Sequence, residues 1–187
     1  GQFQADMMLY GSGGFTSYNP QRLIEQLGGW AEQGFSAVKM KVGREVQLDA
    51  ERVRLAREAI GREVQLFVDA NGAYARKQAL EKAEEFSTQG VNWFEEPVSS
   101  DDLDGLRLIR DRVPSGMEIS AGEYGYTPIE FQRMLSAGAV DVLQADATRC
   151  LGISGFLQVA ALCAAQHIPM STHTAPALHL HPACATR

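Results

Sequence analysis

Short apolar runs rich in β-branched and aromatic residues return along this chain at nearly even intervals, each preceded by a glycine. The glycines are Gly34, Gly61, Gly90, Gly116 and Gly138, with spacings of 27, 29, 26 and 22 residues. The runs that follow them are Ala37-Val38, Leu66-Phe67-Val68, Val91 to Phe94, Met117 to Ile119 and Val140 to Leu143. A fixed period of this size marks a repeated supersecondary unit. Glycine suits the start of each unit because a helix that closes on a left-handed residue does not tolerate a β-carbon cheaply.

Between the runs, the apolar positions change to helical spacing. Leu23, Leu27 and Trp30 fall at i, i+4 and i+7, with Asn19 placed to cap and Pro20 at the first helical position. Val53, Ala56 and Ile60 form a second such stripe, and Ala79, Ala83 and Phe86 a third. Thr127-Pro128-Ile129-Glu130 has the form of a capping box. The segment from Ile153 to Gln166 is nearly all apolar and is expected to be a well-buried helix.

Strands are predicted near Met7–Tyr10, Ala37–Met40, Gln65–Val68, Val91–Phe94, Met117–Ser120, Val140–Leu143 and Ile168–Ser171. Strand and helix alternate with a period of about 26 residues, which calls for parallel strands joined by helical crossovers. About seven βα units predict an α/β fold, a (β/α)8 TIM barrel that stops one unit short. The competing architecture is a doubly wound open sheet. Its phosphate loop, GxGxxG after the first strand, is not matched by Gly11-Ser12-Gly13-Gly14.

Composition narrows the function classes. The 187 residues are 45% apolar and carry a net charge of −6, so one substantial core is affordable and a nucleic-acid or anionic-membrane surface is not expected. No apolar run reaches the ~18 residues of a membrane span, and a cytoplasmic protein is expected. Cys150, Cys163 and Cys184 lack CxxC spacing and read as buried thiols.

In a barrel, chemistry gathers where the C-terminal strand ends converge. Those ends carry Lys39 and Lys41, Asp69, Glu95 with Glu96, Glu123, Asp146 and His173. From Lys41 onward the intervals are 28, 26, 28, 23 and 27 residues, so the ionisable set keeps the strand repeat and is expected to line one pocket. Three carboxylates from adjacent strands need a positive charge between them. With no Cys or His among them, they favour a hard ion, Mg2+ with Mn2+ as the alternative. Lys39 and Lys41 point to one side of their strand. A lysine beside a cation and a second lysine should have a lowered pKa and serve as a base. An aspartate bonded to a histidine fixes its tautomer and raises its basicity. Two bases around a metal suggest removal of a proton next to a carboxylate, with the metal stabilising the enediolate.

With these residues in place, the chain resembles the enolase superfamily, in particular its mandelate racemase subgroup. The resemblance rests on Val38-Lys39-Met40-Lys41-Val42-Gly43, Val68-Asp69-Ala70-Asn71, Trp93-Phe94-Glu95-Glu96-Pro97, Ala121-Gly122-Glu123, Asp146 ahead of Gly152-Ile153-Ser154-Gly155, and Pro169-Met170-Ser171-Thr172-His173. It implies that Asp69, Glu95 and Glu123 are metal ligands, the first of the paired glutamates being the ligand position. It implies Lys41 as the base on one face with Lys39 beside it, His173 with Asp146 as the acid/base on the other, and Asn71 as a substrate contact. The implied reaction is dehydration of a sugar acid, with racemisation or epimerisation of a 2-hydroxy acid as the alternative. The expected partner is a small carboxylate, and a homo-oligomer is expected.

The subgroup also carries an N-terminal capping domain and an eighth strand. Residues 1–187 are therefore expected to be a partial enolase-like barrel domain, cut from a longer protein. A Schiff-base aldolase would use barrel lysines but leaves the three carboxylates without a role. An inactive barrel fragment is the non-enzyme alternative. His179 and His181 lie past the last predicted strand and read as loop or helix-start residues.

Overall fold

The computed structural model describes residues 3–186. Seven strands and seven helices alternate among them. They fall into two compact units, one spanning Leu9–Ile119, the other running from Ser120 onward together with the residues up to Met8.

In the first unit, β1 (Gly11–Gly13), β2 (Ala37–Lys41), β3 (Gln65–Asp69) and β4 (Val91–Glu95) pair in parallel in chain order. Helices α1 (Pro20–Glu32), α2 (Val46–Ile60), α3 (Arg76–Ser87) and α4 (Leu103–Arg110) make the crossovers. Their capping follows the local sequence. The Asn19 side chain accepts the Arg22 amide at 2.8 Å ahead of Pro20, and Asp102 accepts the Gly105 amide at 3.1 Å. The strand residues alternate. Val38, Met40, Leu66, Val68 and Phe94 are buried with the helix stripes of Leu23, Leu27, Val53, Ala79 and Phe86, each large side chain worth about 1.5–3 kcal/mol on burial. Phe94 meets Phe86 and Tyr74 edge-on, at 5.7 and 6.0 Å. Lys39, Lys41, Phe67, Asp69, Trp93 and Glu95 occupy the other parity and so point to the opposite side of their strands.

In the second unit, β5 (Glu118–Ala121), β6 (Val142–Ala145) and β7 (Met170–Thr172) alternate with α5 (Pro128–Ser136), α6 (Gly152–Ala165) and α7 (Pro176–Cys184). β5 pairs with β6 and β6 with β7, again in parallel. The Glu130 carboxylate reaches back to the Thr127 amide at 2.7 Å, completing the expected cap of α5. Residues 3 and 4 belong here because their amides donate to the Cys184 carbonyl, at 2.8 and 3.1 Å.

Three expectations are corrected. The first strand is Gly11–Gly13, whereas the apolar run ahead of it leaves Met8 and Leu9 exposed. Helix α1 lies so close to β1 that a β-carbon on Gly11 would stand 2.4 Å from Trp30 and one on Gly13 2.3 Å from Gln26, so glycine suits both positions on that side of the strand. Helix α6 buries one face, through Phe156, Val159 and Cys163, while Ile153 and Leu157 are exposed. Of the five glycines that head the units, Gly34, Gly61, Gly90 and Gly138 have positive φ and Gly116 does not. The three cysteines are free and buried, as expected. No helix of the described residues is long and apolar enough to cross a membrane.

Candidate active site

Within the unit Leu9–Ile119, parallel pairing stacks the inward residues into layers. Lys39 is registered with Phe67 and Phe67 with Trp93. One layer further along, Lys41 is registered with Asp69 and Asp69 with Glu95. The lower layer is largely aromatic: Phe67 and Trp93 stack at 5.1 Å, and Tyr10 meets Phe67 edge-on at 5.5 Å. The upper layer is charged. This puts the carboxylates above a largely apolar floor, where unpaired charge is costly.

Lys39 rises through that floor. Its Nζ lies 2.5 Å from Glu95 Oε2 and 3.8 Å from Asp69 Oδ2, and 5.4 Å above the Tyr10 ring. Burial disfavours the ammonium, but Glu95, Tyr10 and Asp69 more than offset that and hold Lys39 above its ordinary range. The close charged neighbours of Lys39 are carboxylates. Lys41 donates to the Asp69 carboxylate and, at 2.8 Å, to Asn71 Oδ1. The Asn71 amide donates back to Asp69 Oδ1 at 2.9 Å from a left-handed backbone, φ 46°. Burial pushes Glu95 up to about 7, with Lys39 pulling it down and Asp69 pushing it further up. The Trp93 indole N–H donates to Glu95 Oε2 at 3.3 Å. Glu96 is buried and left-handed at φ 41°, its carbonyl accepting the Gly72 amide.

A second, deeper network holds the loop after Lys41. The buried Asp49 of α2 accepts the Tyr74 hydroxyl at 2.6 Å and the Gly43 amide at 3.0 Å on one oxygen. Burial and the Asp49 charge push the Tyr74 phenol far above its ordinary value.

The unit from Ser120 onward presents the imidazole. Strand β6 ends at Ala145 and β7 at Thr172, so Asp146 and His173 are each the first residue beyond a strand. His173 Nδ1 lies 2.9 Å from Asp146 Oδ2, and its Nε2 lies 3.0 Å from Glu123 Oε2. Burial works against a charged ring, yet the bonds to Glu123 and Asp146 outweigh it and raise His173, with Arg149 opposing them. Burial likewise opposes the Asp146 carboxylate, but His173 and Thr148 hold it below the usual range. The Thr148 amide and hydroxyl both donate to Asp146 Oδ1, at 2.8 and 2.7 Å.

Glu123 is placed by a tight crossing. Gly122 has φ 134°, and a β-carbon there would stand 2.1 Å from the Gln144 carbonyl oxygen. Arg149 donates to the Glu123 carbonyl at 2.8 Å, lies 3.7 Å from Asp146 Oδ2, and stacks 5.5 Å over Tyr124.

Lys41, Asp69 and Glu95 end their strands, Asp146 and His173 immediately follow theirs, Asn71 and Glu123 lie two residues beyond, and Lys39 sits within β2. Lys39, Lys41, Asp69, Glu95 and Asn71 are gathered in the first unit. Glu123, Asp146 and His173 are gathered in the second. Tyr10, Trp93, Arg149 and His179 were not singled out as participants. Trp93, two residues before Glu95, and Arg149, three beyond Asp146, sat close in sequence to selected residues.

The enolase C-terminal domain-like family matches residues 22–187. The chain belongs to that family, and its alternating βα architecture is the barrel type of the enolase C-terminal domain. It is 32% identical over 176 residues to a D-galactarolactone cycloisomerase of Agrobacterium fabrum, covering 92% of this chain and 46% of the relative. A mandelate racemase/muconate lactonizing enzyme-like protein from Rubrobacter xylanophilus is 57% identical with a TM-score of 0.96, over 100% of this chain and 52% of that one. A racemase from Streptomyces coelicolor A3(2) with bound magnesium is 30% identical with a TM-score of 0.92, over 100% and 56%. Further relatives are sugar-acid dehydratases and epimerases. The chain spans about half the length of the relatives it matches.

Proposed function

We infer that the protein to which this chain belongs removes the proton α to the carboxylate of a small acid, in order to dehydrate a sugar acid. The observation that carries this reading is the position of the ionisable residues: Lys41, Asp69 and Glu95 close their strands and Glu123, Asp146 and His173 lie one or two residues beyond theirs, at the C-terminal ends where barrel enzymes carry their chemistry. The dehydratases and cycloisomerase among the relatives favour a sugar acid over other carboxylates.

Asp69, Glu95 and Glu123 would hold Mg2+. Their chemistry fits: three buried carboxylates, oxygen donors only, at strand ends. Mn2+ is the alternative ion for the same donors. A bound Mg2+ supplies charge to stabilise an enediolate. The chain's own groups do the proton work. Lys41, tied to Asp69 and Asn71, would take the α-proton on one face as a neutral amine, its own ammonium proton having first passed to solvent. His173 is oriented by Asp146, so its Nε2 is the atom that takes or returns a proton on the other. As imidazolium, it would assist loss of a β-hydroxyl. Asn71 contacts substrate through its amide. Lys39 remains cationic beside the substrate carboxylate.

Racemisation or epimerisation uses the same two bases and differs only in returning the proton across the plane. Relatives of that kind keep it as the second reading. The same reading takes the enzyme as a cytoplasmic homo-oligomer. The test is Mg2+-dependent exchange of the α-proton for deuterium across a panel of sugar acids and 2-hydroxy acids. Exchange with a sugar acid, with loss of its β-hydroxyl, is expected. A folded sample that exchanges no acid at saturating Mg2+ overturns the reading.

A further inference from the structure

We propose that His179 is a positioning residue that braces the Asp146–His173 pair, by joining the backbone next to Asp146 to the backbone next to His173. The inference rests on the proposed function for its catalytic consequence, though not for its geometry. His179 lies on α7, 2% exposed, and its ring packs against Phe156 with centroids 5.4 Å apart. Nε2 accepts the Ala147 amide at 2.9 Å. Nδ1 faces the Thr174 carbonyl at 2.9 Å and the Ala175 carbonyl at 3.1 Å.

Those partners assign the tautomer. A nitrogen facing an amide N–H must be bare, and one facing two carbonyls must carry the proton. The ring is therefore a neutral imidazole with both nitrogens used. Its two ends grip chain segments that are far apart in sequence: Ala147 follows Asp146, and Thr174 follows His173. Thr174 and Ala175 have φ of 47° and 41°, left-handed conformations that non-glycine residues keep only when surrounding bonds hold them. His179 Nε2 stands 3.7 Å from Asp146 Oδ1, too far for a hydrogen bond, so its influence passes through the backbone.

Two near-isosteres separate the two grips. In His179→Gln a side-chain oxygen can replace Nε2 as acceptor of the Ala147 amide. In His179→Asn the amide nitrogen replaces the Nδ1 donor, and the Ala147 amide loses its acceptor. Nuclear magnetic resonance of the full chain reads solvent exchange at the Ala147 amide and the resonance of the His173 Nδ1 proton. Deuterium exchange into an acid that the wild type turns over reads kcat and KM.

His179→Asn is expected to expose the Ala147 amide to exchange, to shift the His173 proton, and to lower kcat about 10–100-fold with KM little changed. His179→Gln is expected to restore most of both. If His179→Asn keeps wild-type Ala147 protection and the wild-type His173 resonance, the brace is refuted. The same holds if the two variants behave alike. Should His179→Asn not fold, loss of Ala147 protection in His179→Gln refutes it instead. The resonance measurements need no turnover, so a wild type that exchanges no α-proton sinks the proposed function and leaves the brace still tested.

Discussion

Lys39 Nζ lies 2.5 Å from Glu95 Oε2 across the intervening strand β3, with both side chains almost wholly removed from solvent. Two opposite charges in that position hold each other in place at the cost of their hydration.

The asymmetry of such a pair gives the first prediction. Lys39→Met leaves Glu95 buried without its ammonium and should destabilise the metal-free protein by about 3–5 kcal/mol. The double variant Lys39→Met/Glu95→Leu should recover much of that loss. Urea denaturation of the two single variants and the double variant measures the coupling.

Lys41→Ala and His173→Ala test which group does the proton work. At least one should lose about 10²–10⁴-fold in α-proton exchange. Circular dichroism and melting temperature should stay near wild type for His173→Ala, whose ring is partly exposed. Retention of wild-type exchange by both variants would remove the two bases from the reaction.

Tyr74→Phe deletes the hydroxyl that donates to buried Asp49 at 2.6 Å. A hydrogen bond to a charged group is worth about 1.5–3 kcal/mol, and the urea midpoint should fall accordingly. Because Asp49 also holds the Gly43 amide, amide exchange at Gly43 should accelerate with it.

Asp102 supplies the acid dependence. It caps α4 and pairs with Arg76, and that guanidinium holds its carboxyl below the ordinary carboxylate range. A depressed pKa contributes stability above the ordinary value near 3.8, and that contribution fades as pH falls through the folded-state value. Asp102→Ala should therefore cost about 1 kcal/mol at pH 7, and the deficit should shrink steadily on acidification toward pH 2. Thermal melts across that range decide it.

Gly122→Ala should be poorly tolerated. The left-handed backbone at φ 134° and the 2.1 Å approach to the Gln144 carbonyl act together, for a loss of more than about 3 kcal/mol or failure to fold. Soluble yield and melting temperature are the readouts.

Where the sequence was informative, physics had left a side-chain signal. The ionisable residues at the strand ends keep the repeat because each strand presents its last inward residue to one face, and Asp69, Glu95 and His173 were visible for that reason. Strand β1 was not visible because two of its three residues are glycines, whose missing side chains let Trp30 and Gln26 approach. The apolar run Met7 to Tyr10 mimicked a strand beside it. His179 does lie near the start of a helix, α7, but its bonding could not be read there because a neutral imidazole bonded to backbone leaves no pattern in its own neighbourhood. Its partners, Ala147 and Thr174, carry no side-chain information about it. The exposed face of α6 shows the converse, since apolar composition alone does not say how much of a helix is buried.

The indole of Trp93 has a practical consequence. It donates to Glu95 and stacks on Phe67, while the other tryptophan of the chain, Trp30, packs over Gly11 and Gly13. With Trp30→Phe, every photon of indole emission would come from a ring bonded to one carboxylate. The molecule already contains a fluorescent reporter, and a change in the charge around Glu95 can be followed by emission wavelength without attaching a dye.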